Sequence, residues 1–491
     1  MKGSENININ MRKNTAIMVL YQVSMYLIPL ITMPYVARVL GAEGVGVYSY
    51  TSSVMSFCIV LTTMGVSLYG RREIAACLDR ESRSKTFWSI FSIESIMFIL
   101  TLFGYSIYVW LNDSDIKIAQ WLQILALIGG WLDISWLFFG VENFKYAVIR
   151  NILVRVISLI LIFAFIRQSS DVYLYVFIVT FSDLVSVIPL WSLSKKYINK
   201  CVPSKSEIKE HIIPMSKMLI TALSTNLYTI IDKVIIGGFV SLVLVGVYDN
   251  AFRISKVTVA FITTIGVVMM PRMTKLFAEG DSKKSLDYFK KSLSLTLFLG
   301  AGCAFGLIGV APTFIPLYLG EEFSEGIIVT QIISISLFFV AWGNVFRSQF
   351  ILPRKKDNLY VKSVVYAVVL NLILNLILIP VLSIVGAAIA YVITEVMICM
   401  YQSYKVRESF NFGQLLKSNY IYIVSAFLMM FVVKMVNFVL STNNVHPLLS
   451  LIAQIAVGTV FYCIAVMIME RLSGRKVITT EITNMISKIK R

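Results

Sequence analysis

Charged side chains are scarce in this chain. Aspartate, glutamate, lysine and arginine together make up 14% of its 491 residues, whereas 57% of the residues are hydrophobic. This apolar surface is more than a single soluble core can bury, so the composition excludes an ordinary soluble protein. A hydrocarbon layer about 30 Å thick accommodates such a surplus in helices of roughly 20 residues. The sequence therefore predicts an all-α integral membrane protein.

Histidine and cysteine are also rare. The two histidines, His211 and His446, fall on opposite sides of the membrane in the topology given below, and the six cysteines form no CxxC pair. Nucleophile-elbow, P-loop and zinc-protease motifs are missing from the sequence. We therefore expect free thiols, no catalytic residue, no metal site, no cofactor and a function other than that of an enzyme.

Hydrophobic runs long enough to cross a membrane recur along the whole chain. They predict about 14 transmembrane helices, at residues 14–37, 46–69, 87–110, 119–141, 150–167, 172–193, 212–236, 246–270, 292–316, 327–352, 360–381, 384–404, 419–440 and 447–469. An even number of spans places both termini on the same side of the membrane.

Basic residues gather in every second connection between these spans. Arg71 and Arg72 are examples, whereas the intervening loops hold only Arg38, Lys117 and Arg167. Because basic loops stay on the cytoplasmic side, both termini are expected there. The net charge of +17 then reflects topology and anionic headgroups rather than nucleic acid.

A tetrapeptide returns at a spacing of 200 residues. The sequence VGVY at 45–48 recurs at 245–248, and Arg72 and Arg272 are separated by the same 200 residues. Each copy opens the second helix of a six-helix block, as in transporters built from parallel repeats. The predicted domains are an N-terminal lobe at 1–194, a cytoplasmic linker at 195–211, a C-terminal lobe at 212–404, two further helices at 405–470 and a cytoplasmic tail at 471–491.

The tail has a different character from the rest of the chain. One face of a tail helix would carry the apolar residues Ile478, Ile482, Met485, Ile486 and Ile489. This pattern is typical of a helix that lies in the membrane interface, and a helix that binds a partner protein is the alternative.

Several predicted spans or their ends retain ionisable side chains. Such groups cost a few kcal/mol each in a membrane, so they tend to face a protein-lined or watery interior and to mark transport pathways. The candidates for binding a substrate in a cationic cavity are Arg253, Lys256, Lys233, Arg347 and Arg38. The candidates for coupling or charge balance are Asp232, Asp133, Asp183, Glu94 and Glu395.

Arg253 and Lys256 are the strongest of these candidates. They are three residues apart and therefore project from the same helical face, roughly 12 and 16 Å from the exterior end of their helix. Two like charges at that depth favour a bound anionic group. The alternative is permanent pairing with Asp183, Asp232 or Glu395.

Aromatic residues flank one of the acidic candidates. Trp131, Trp136, Phe138 and Phe139 surround Asp133 in the sequence. Aromatic rings beside a charge can bind sugars or lipid tails, whereas rings near the ends of spans often serve as interfacial anchors. Both interpretations stay open at the level of the sequence.

Three stretches of the chain resemble a known family. Residues 33–41, MPYVARVLG, with the VGVY that follows, are similar to the start of polysaccharide flippases of the Wzx type. Residues 231–233, IDK, and the stretches MPRM at 270–273 and FAEGD at 277–281 resemble the seventh and eighth helices of that family and the loop after them.

The resemblance implies a MATE-like exporter fold, with two six-helix lobes around a central cavity and two extra C-terminal helices. It also implies a cargo, an undecaprenyl-diphosphate-linked oligosaccharide, moved across the bacterial cytoplasmic (inner) membrane for O-antigen, capsule or exopolysaccharide assembly. The other expected partners are membrane lipids, with a polysaccharide polymerase and a chain-length regulator as further candidates. Lipid II flippases carry a basic residue in the first helix, whereas residues 21–35 have no charge here, which counts against a peptidoglycan precursor.

Two other functions remain open from the sequence. A multidrug exporter of the same superfamily would favour an acidic cavity for its cationic substrates. A membrane polysaccharide polymerase or ligase would present a large exterior loop, whereas the exterior loops predicted here are short.

Overall fold

A computed structural model describes the backbone of residues 2–112, 114–143, 145–474 and 477–480. Side chains are described for residues 28–112, 114–143, 145–220, 222–223, 230–281, 283–474 and 477–480. Within these ranges the chain is almost entirely helical and contains no β-strand. The helices are α1 (Lys2–Thr63), α2 (Val66–Ala76), α3 (Arg80–Leu111), α4 (Lys117–Leu132), α5 (Ser135–Gly140), α6 (Lys145–Phe165), α7 (Val172–Ser194), α8 (Lys205–Phe239), α9 (Leu242–Ala278), α10 (Ser282–Leu319), α11 (Gly326–Phe346), α12 (Asp357–Lys405), α13 (Phe412–Thr442) and α14 (Pro447–Leu472).

The predicted spans coincide with these helices. Two of the helices, α1 and α12, are long enough to cover two spans each, and each contains one residue with non-helical backbone, Gly41 (φ 71°) and Ser383 (φ 54°). The predicted span 119–141 is divided between α4 and α5. Among the residues searched, 11 helical segments are long and apolar enough to cross a membrane. The predicted all-α membrane fold is therefore confirmed.

Contacts divide the chain into two compact units. The first unit is Met1–Gly237 with Ser241–Gly246, and the second is Gly238–Val240 with Val247–Arg491. The core of the first unit is built around large buried side chains such as Phe87 and Trp136, and that of the second around Phe289 and Phe346. The domain boundaries drawn from the sequence repeat stay a prediction.

The glycines of the repeated tetrapeptide meet each other within the first unit. A Cβ atom on Gly46 would lie 1.8 Å from the carbonyl oxygen of Leu242, and one on Gly246 would lie 2.1 Å from the carbonyl oxygen of Ala42. Only glycine allows two backbones to approach so closely. The tetrapeptide therefore marks a helix crossing that requires a glycine from each copy.

Two spans of the first unit are interrupted. The chain leaves α1 through Met64 and Gly65, which have φ angles of 47° and 73°, before α2 begins. The other interruption is Asp133 with Ile134, between α4 and α5. Irregular backbone inside a membrane is tolerated where protein or a water-filled cavity surrounds it. Discontinuous helices of this kind are typical of transporters.

The tail is described only as far as Thr480. Ile478 is buried, with 1% of its surface exposed. The other predicted apolar residues, Ile482, Met485, Ile486 and Ile489, lie outside the described residues. The interfacial tail helix therefore stays a prediction.

Candidate functional site

The interruption between α4 and α5 carries an ion pair. Arg150 of α6 places its Nη1 atom 3.4 Å from Oδ1 of Asp133. The arginine side chain is 8% exposed, whereas the aspartate side chain is 38% exposed. Oδ1 of Asp133 also accepts hydrogen bonds from the backbone N–H and the hydroxyl of Ser135, at the start of α5. In this first ion pair the cation is buried and the carboxylate is partly exposed.

Two further acidic candidates lie near the first ion pair. Glu94 of α3 is 2% exposed, and its Oε2 atom has no hydrogen-bond partner among the described residues. Asp183 of α7 is exposed. The charge of Asp133 acts on both carboxyl groups. The structure therefore brings Glu94 and Asp183 close to Asp133 in the first unit.

Aromatic residues beside Asp133 belong to the core. Trp136 and Phe138 are 3% and 0% exposed, and Trp136 stacks on Phe87 with 5.1 Å between ring centroids. Trp131 also packs against this core. Rings buried in this way stabilise the packing of α5, so Trp136 and Phe138 are not accessible to a sugar.

A second ion pair lies on α9, in the second unit. Nε of Arg253 donates to Oδ2 of Asp249 at 2.7 Å. Here the exposures are reversed, because the arginine side chain is 42% exposed and the aspartate side chain is 3% exposed. Lys256, less than one turn further along α9, is exposed, and its ammonium nitrogen lies 5.8 Å from the ring centroid of Phe252. This part of α9 therefore presents cationic groups.

Contacts continue from Phe252 to two more candidates. Its ring packs edge-on against Tyr391 of α12, with centroids 5.1 Å apart, and Glu395 lies one helical turn after Tyr391 on the same helix. The charge of Arg347 acts on Glu395, and its guanidinium carbon lies 5.5 Å from the ring centroid of Tyr360. Arg347 begins a π-helix of five residues, a feature that is frequent at functional sites.

The remaining candidates belong to the first unit. Asp232 of α8 is fully buried, with 0% exposure, and the adjacent Lys233 is half-buried. Arg38 of α1 is exposed. The roles assigned to these three residues stay predictions.

Asp249 was not predicted as a partner of Arg253. The predicted partners, Asp183, Asp232 and Glu395, lie at least 20 residues from Arg253 in the sequence, whereas the observed partner lies one helical turn away. An acid four residues before a base on a helix is a favourable pair, and this spacing was a signal present in the sequence.

Comparison with known proteins agrees with this architecture. The model of the polysaccharide biosynthesis protein family matches residues 11–277, which is more than half of the chain. A putative O-antigen transporter of Escherichia coli strain K12 is 25% identical over 406 residues, covering 82% of this chain and 98% of the relative. The capsular polysaccharide biosynthesis protein CapF of Staphylococcus aureus is 22% identical over 374 residues, covering 74% of this chain and 91% of CapF.

Two solved structures share the fold. The inward closed conformation of the lipid II flippase MurJ has a TM-score of 0.75 at 15% identity, covering 93% of this chain and 100% of that one. An inward-facing multidrug resistance MATE family transporter has a TM-score of 0.63 at 14% identity, covering 79% and 96%. The chain therefore has a MATE-like fold and belongs to the polysaccharide biosynthesis protein family.

Proposed function

We propose that this protein moves an undecaprenyl-diphosphate-linked oligosaccharide across the bacterial cytoplasmic membrane for O-antigen or capsule assembly. Family membership and the names of the relatives, an O-antigen transporter and a capsular polysaccharide biosynthesis protein, support a polysaccharide flippase. The basic connections support a topology with both termini in the cytoplasm. In this proposal the two repeats move relative to each other, so that the substrate site opens alternately to the cytoplasmic and to the exterior side of the membrane.

The observation that carries the proposed binding site is the exposure of the cations on α9. Asp249 holds the Arg253 guanidinium by its Nε atom, while 42% of that side chain stays exposed beside the exposed Lys256. Guanidinium groups bind phosphate oxygens through charge-assisted hydrogen bonds, and an ammonium group adds a point charge. Arg253 and Lys256 would therefore hold the diphosphate of the cargo, and a watery interior would accommodate its glycan.

The acidic cluster of the first unit has a different role in this proposal. Asp133 and Asp183 present carboxylates, which would repel the diphosphate. We assign Asp133, Asp183 and Glu94 to charge balance or to coupling with a driving ion. Asp232 and Glu395, both buried, complete the acidic set.

A double substitution tests the binding site. Arg253→Ala with Lys256→Ala should abolish surface polysaccharide in a strain that depends on this protein, while the amount of protein in the membrane stays unchanged. Surface polysaccharide is measured on intact cells and protein by immunoblot of membranes. Lys275→Ala is a matched control, because it removes an exposed, surface-paired base from the same helix. Normal export by the double variant would exclude Arg253 and Lys256 from cargo binding.

One observation favours a second candidate function. The exposed carboxylates of Asp133 and Asp183 suit the cationic substrates of a multidrug exporter. A strain that lacks the protein would then accumulate a cationic dye such as ethidium, whereas a polysaccharide flippase predicts unchanged dye efflux and lost surface polysaccharide. For a polymerase or ligase we find no comparable support, because the Escherichia coli relative is named as a putative O-antigen transporter.

A further inference from the structure

The second unit contains a cavity outside the candidate site. It has a volume of about 500 Å³, within the range of about 300–1,000 Å³ that is typical of ligand sites. Most of its wall is apolar, formed by Ile265 and Met269 of α9, Leu295 of α10, and Val477 and Ile478 of the tail. Such a wall suits a hydrocarbon chain.

Polar groups lie along one side of the cavity. The α10 residues Tyr288, Lys291 and Ser292, with Thr480 of the tail, complete the wall. Arg272 of α9 stacks on the ring of Tyr288, with 3.9 Å from guanidinium carbon to centroid, and donates a hydrogen bond to its hydroxyl. Lys291 is paired with Asp287 at 2.9 Å, but both side chains are about 60% exposed. Exposed pairs are weak, so a phosphate can compete for Lys291.

The tail that closes the cavity is held in place by a buried carboxylate. Glu470 of α14 is 0% exposed. It accepts hydrogen bonds from the backbone N–H groups of Ile478 and Thr479, at 2.9 and 2.8 Å, and from the hydroxyl of Tyr422 at 3.0 Å. A buried carboxylate is stable only with such partners. The tail wall is therefore a built part of the cavity.

We propose that this cavity binds an anionic membrane phospholipid, with an acyl chain against the apolar wall and the phosphate near Lys291 and Arg272. The cavity lies at the ends of α9 and α10 that carry the basic residues Lys275, Lys283, Lys284 and Lys290. By the positive-inside rule these ends face the cytoplasm, where the inner leaflet is rich in anionic lipid. The proposal needs no transport activity and is independent of the proposed function.

Lipid-dependent stability of the purified full-length protein tests this proposal. Phosphatidylglycerol added to the detergent-solubilised protein should raise its Tm more than phosphatidylcholine does, because a ligand that binds the folded state stabilises it. Inorganic phosphate should not reproduce the rise, since it lacks the acyl chain. Native mass spectrometry should detect phosphatidylglycerol retained on the wild-type protein.

Matched variants locate the site. Met269→Trp should fill the cavity and remove the phosphatidylglycerol-specific rise, whereas Val268→Trp, at a neighbouring position that is 69% exposed, should keep it. Lys291→Gln should weaken the apparent lipid affinity roughly fivefold, and the adjacent exposed Lys290→Gln should change it less. The Lys291 variant decides the question if Met269→Trp does not fold.

Three results would overturn the proposal. The first is an equal rise in the Tm of the wild type with phosphatidylglycerol and with phosphatidylcholine. The second is the full rise in Tm with inorganic phosphate alone. The third is a response to phosphatidylglycerol that is the same in each cavity variant as in its control.

Discussion

The two ion pairs have opposite arrangements. In the first unit Arg150 is 8% exposed and its partner Asp133 is 38% exposed. In the second unit Asp249 is 3% exposed and its partner Arg253 is 42% exposed. Each pair buries one charge and leaves the other accessible, so the first unit presents a carboxylate and the second a guanidinium. Two pairs of the same composition therefore expose opposite charges.

The backbones around the pairs also differ. In the first copy of the repeat the helix is interrupted at Met64 and Gly65, whereas the residues 200 positions later, Thr264 and Ile265, lie within the uninterrupted α9. Asp133 lies at an interruption, and Asp249 lies inside a helix. An interrupted helix places an acid among partners from other helices, whereas a continuous helix pairs it with a residue one turn away.

The largest expected effect on stability comes from removing the carboxylate of the first pair. Asp133→Asn should lower the free energy of unfolding by about 3 kcal/mol, because it removes the carboxylate that is paired directly with the buried Arg150. Asp249→Asn should cost only about 1 kcal/mol, because Arg253 is partly hydrated and the amide oxygen can still accept its hydrogen bond. Thermal unfolding in detergent measures both. A larger loss for Asp249→Asn would reverse the comparison.

An intermediate effect is expected at the helix interruption. Gly65→Ala should destabilise the protein by about 2 kcal/mol, because a Cβ is unfavourable at a φ of 73° and would lie 2.8 Å from the carbonyl oxygen of Met218. Gly104→Ala is the control, since a Cβ on Gly104 meets nothing within 4 Å. This variant should be neutral or slightly stabilising. Equal stability of the two variants would show that the interruption does not depend on Gly65.

The smallest effect is expected where the units are alike, at the starts of α3 and α10. Asp79 accepts from the N–H of Ser82 at 2.7 Å, and Asp281 accepts from the N–H of Lys284 at 3.0 Å. Hydrogen bonds from the side chain and backbone of Lys284 lower the pKa of Asp281 below its ordinary value. Ionised Asp281 therefore stabilises the fold at pH values above its ordinary pKa. This stabilisation is lost as the pH falls through the lowered pKa.

Comparison with Asp281→Asn tests this pH dependence. The variant should have the same Tm as the wild type near pH 6, because asparagine also caps helices. When the pH is lowered to 3, its Tm should fall slightly less than that of the wild type. The readout is Tm as a function of pH. Profiles that superimpose down to pH 3 would contradict the role of Asp281.

The membrane class, the helical spans and the family could be predicted from the sequence. The spans could be predicted because each one consists of about 20 consecutive, mostly apolar residues. The repeat could be recognised because the four residues of VGVY are contiguous. Interruptions such as Met64 with Gly65 were not predicted, because hydropathy continues through them. Arg150 illustrates the same limit: in the sequence it stands at the start of the predicted span 150–167, whereas the structure buries it against Asp133.

The sequence by itself determined which charges enter the membrane-spanning part of the chain, since each lies within or beside an apolar run. Only the tertiary structure decided which charge of each pair is accessible. Accessibility depends on the helices that surround a side chain, and those helices come from distant parts of the sequence. The same two residue types can therefore present a negative charge in one unit and a positive charge in the other.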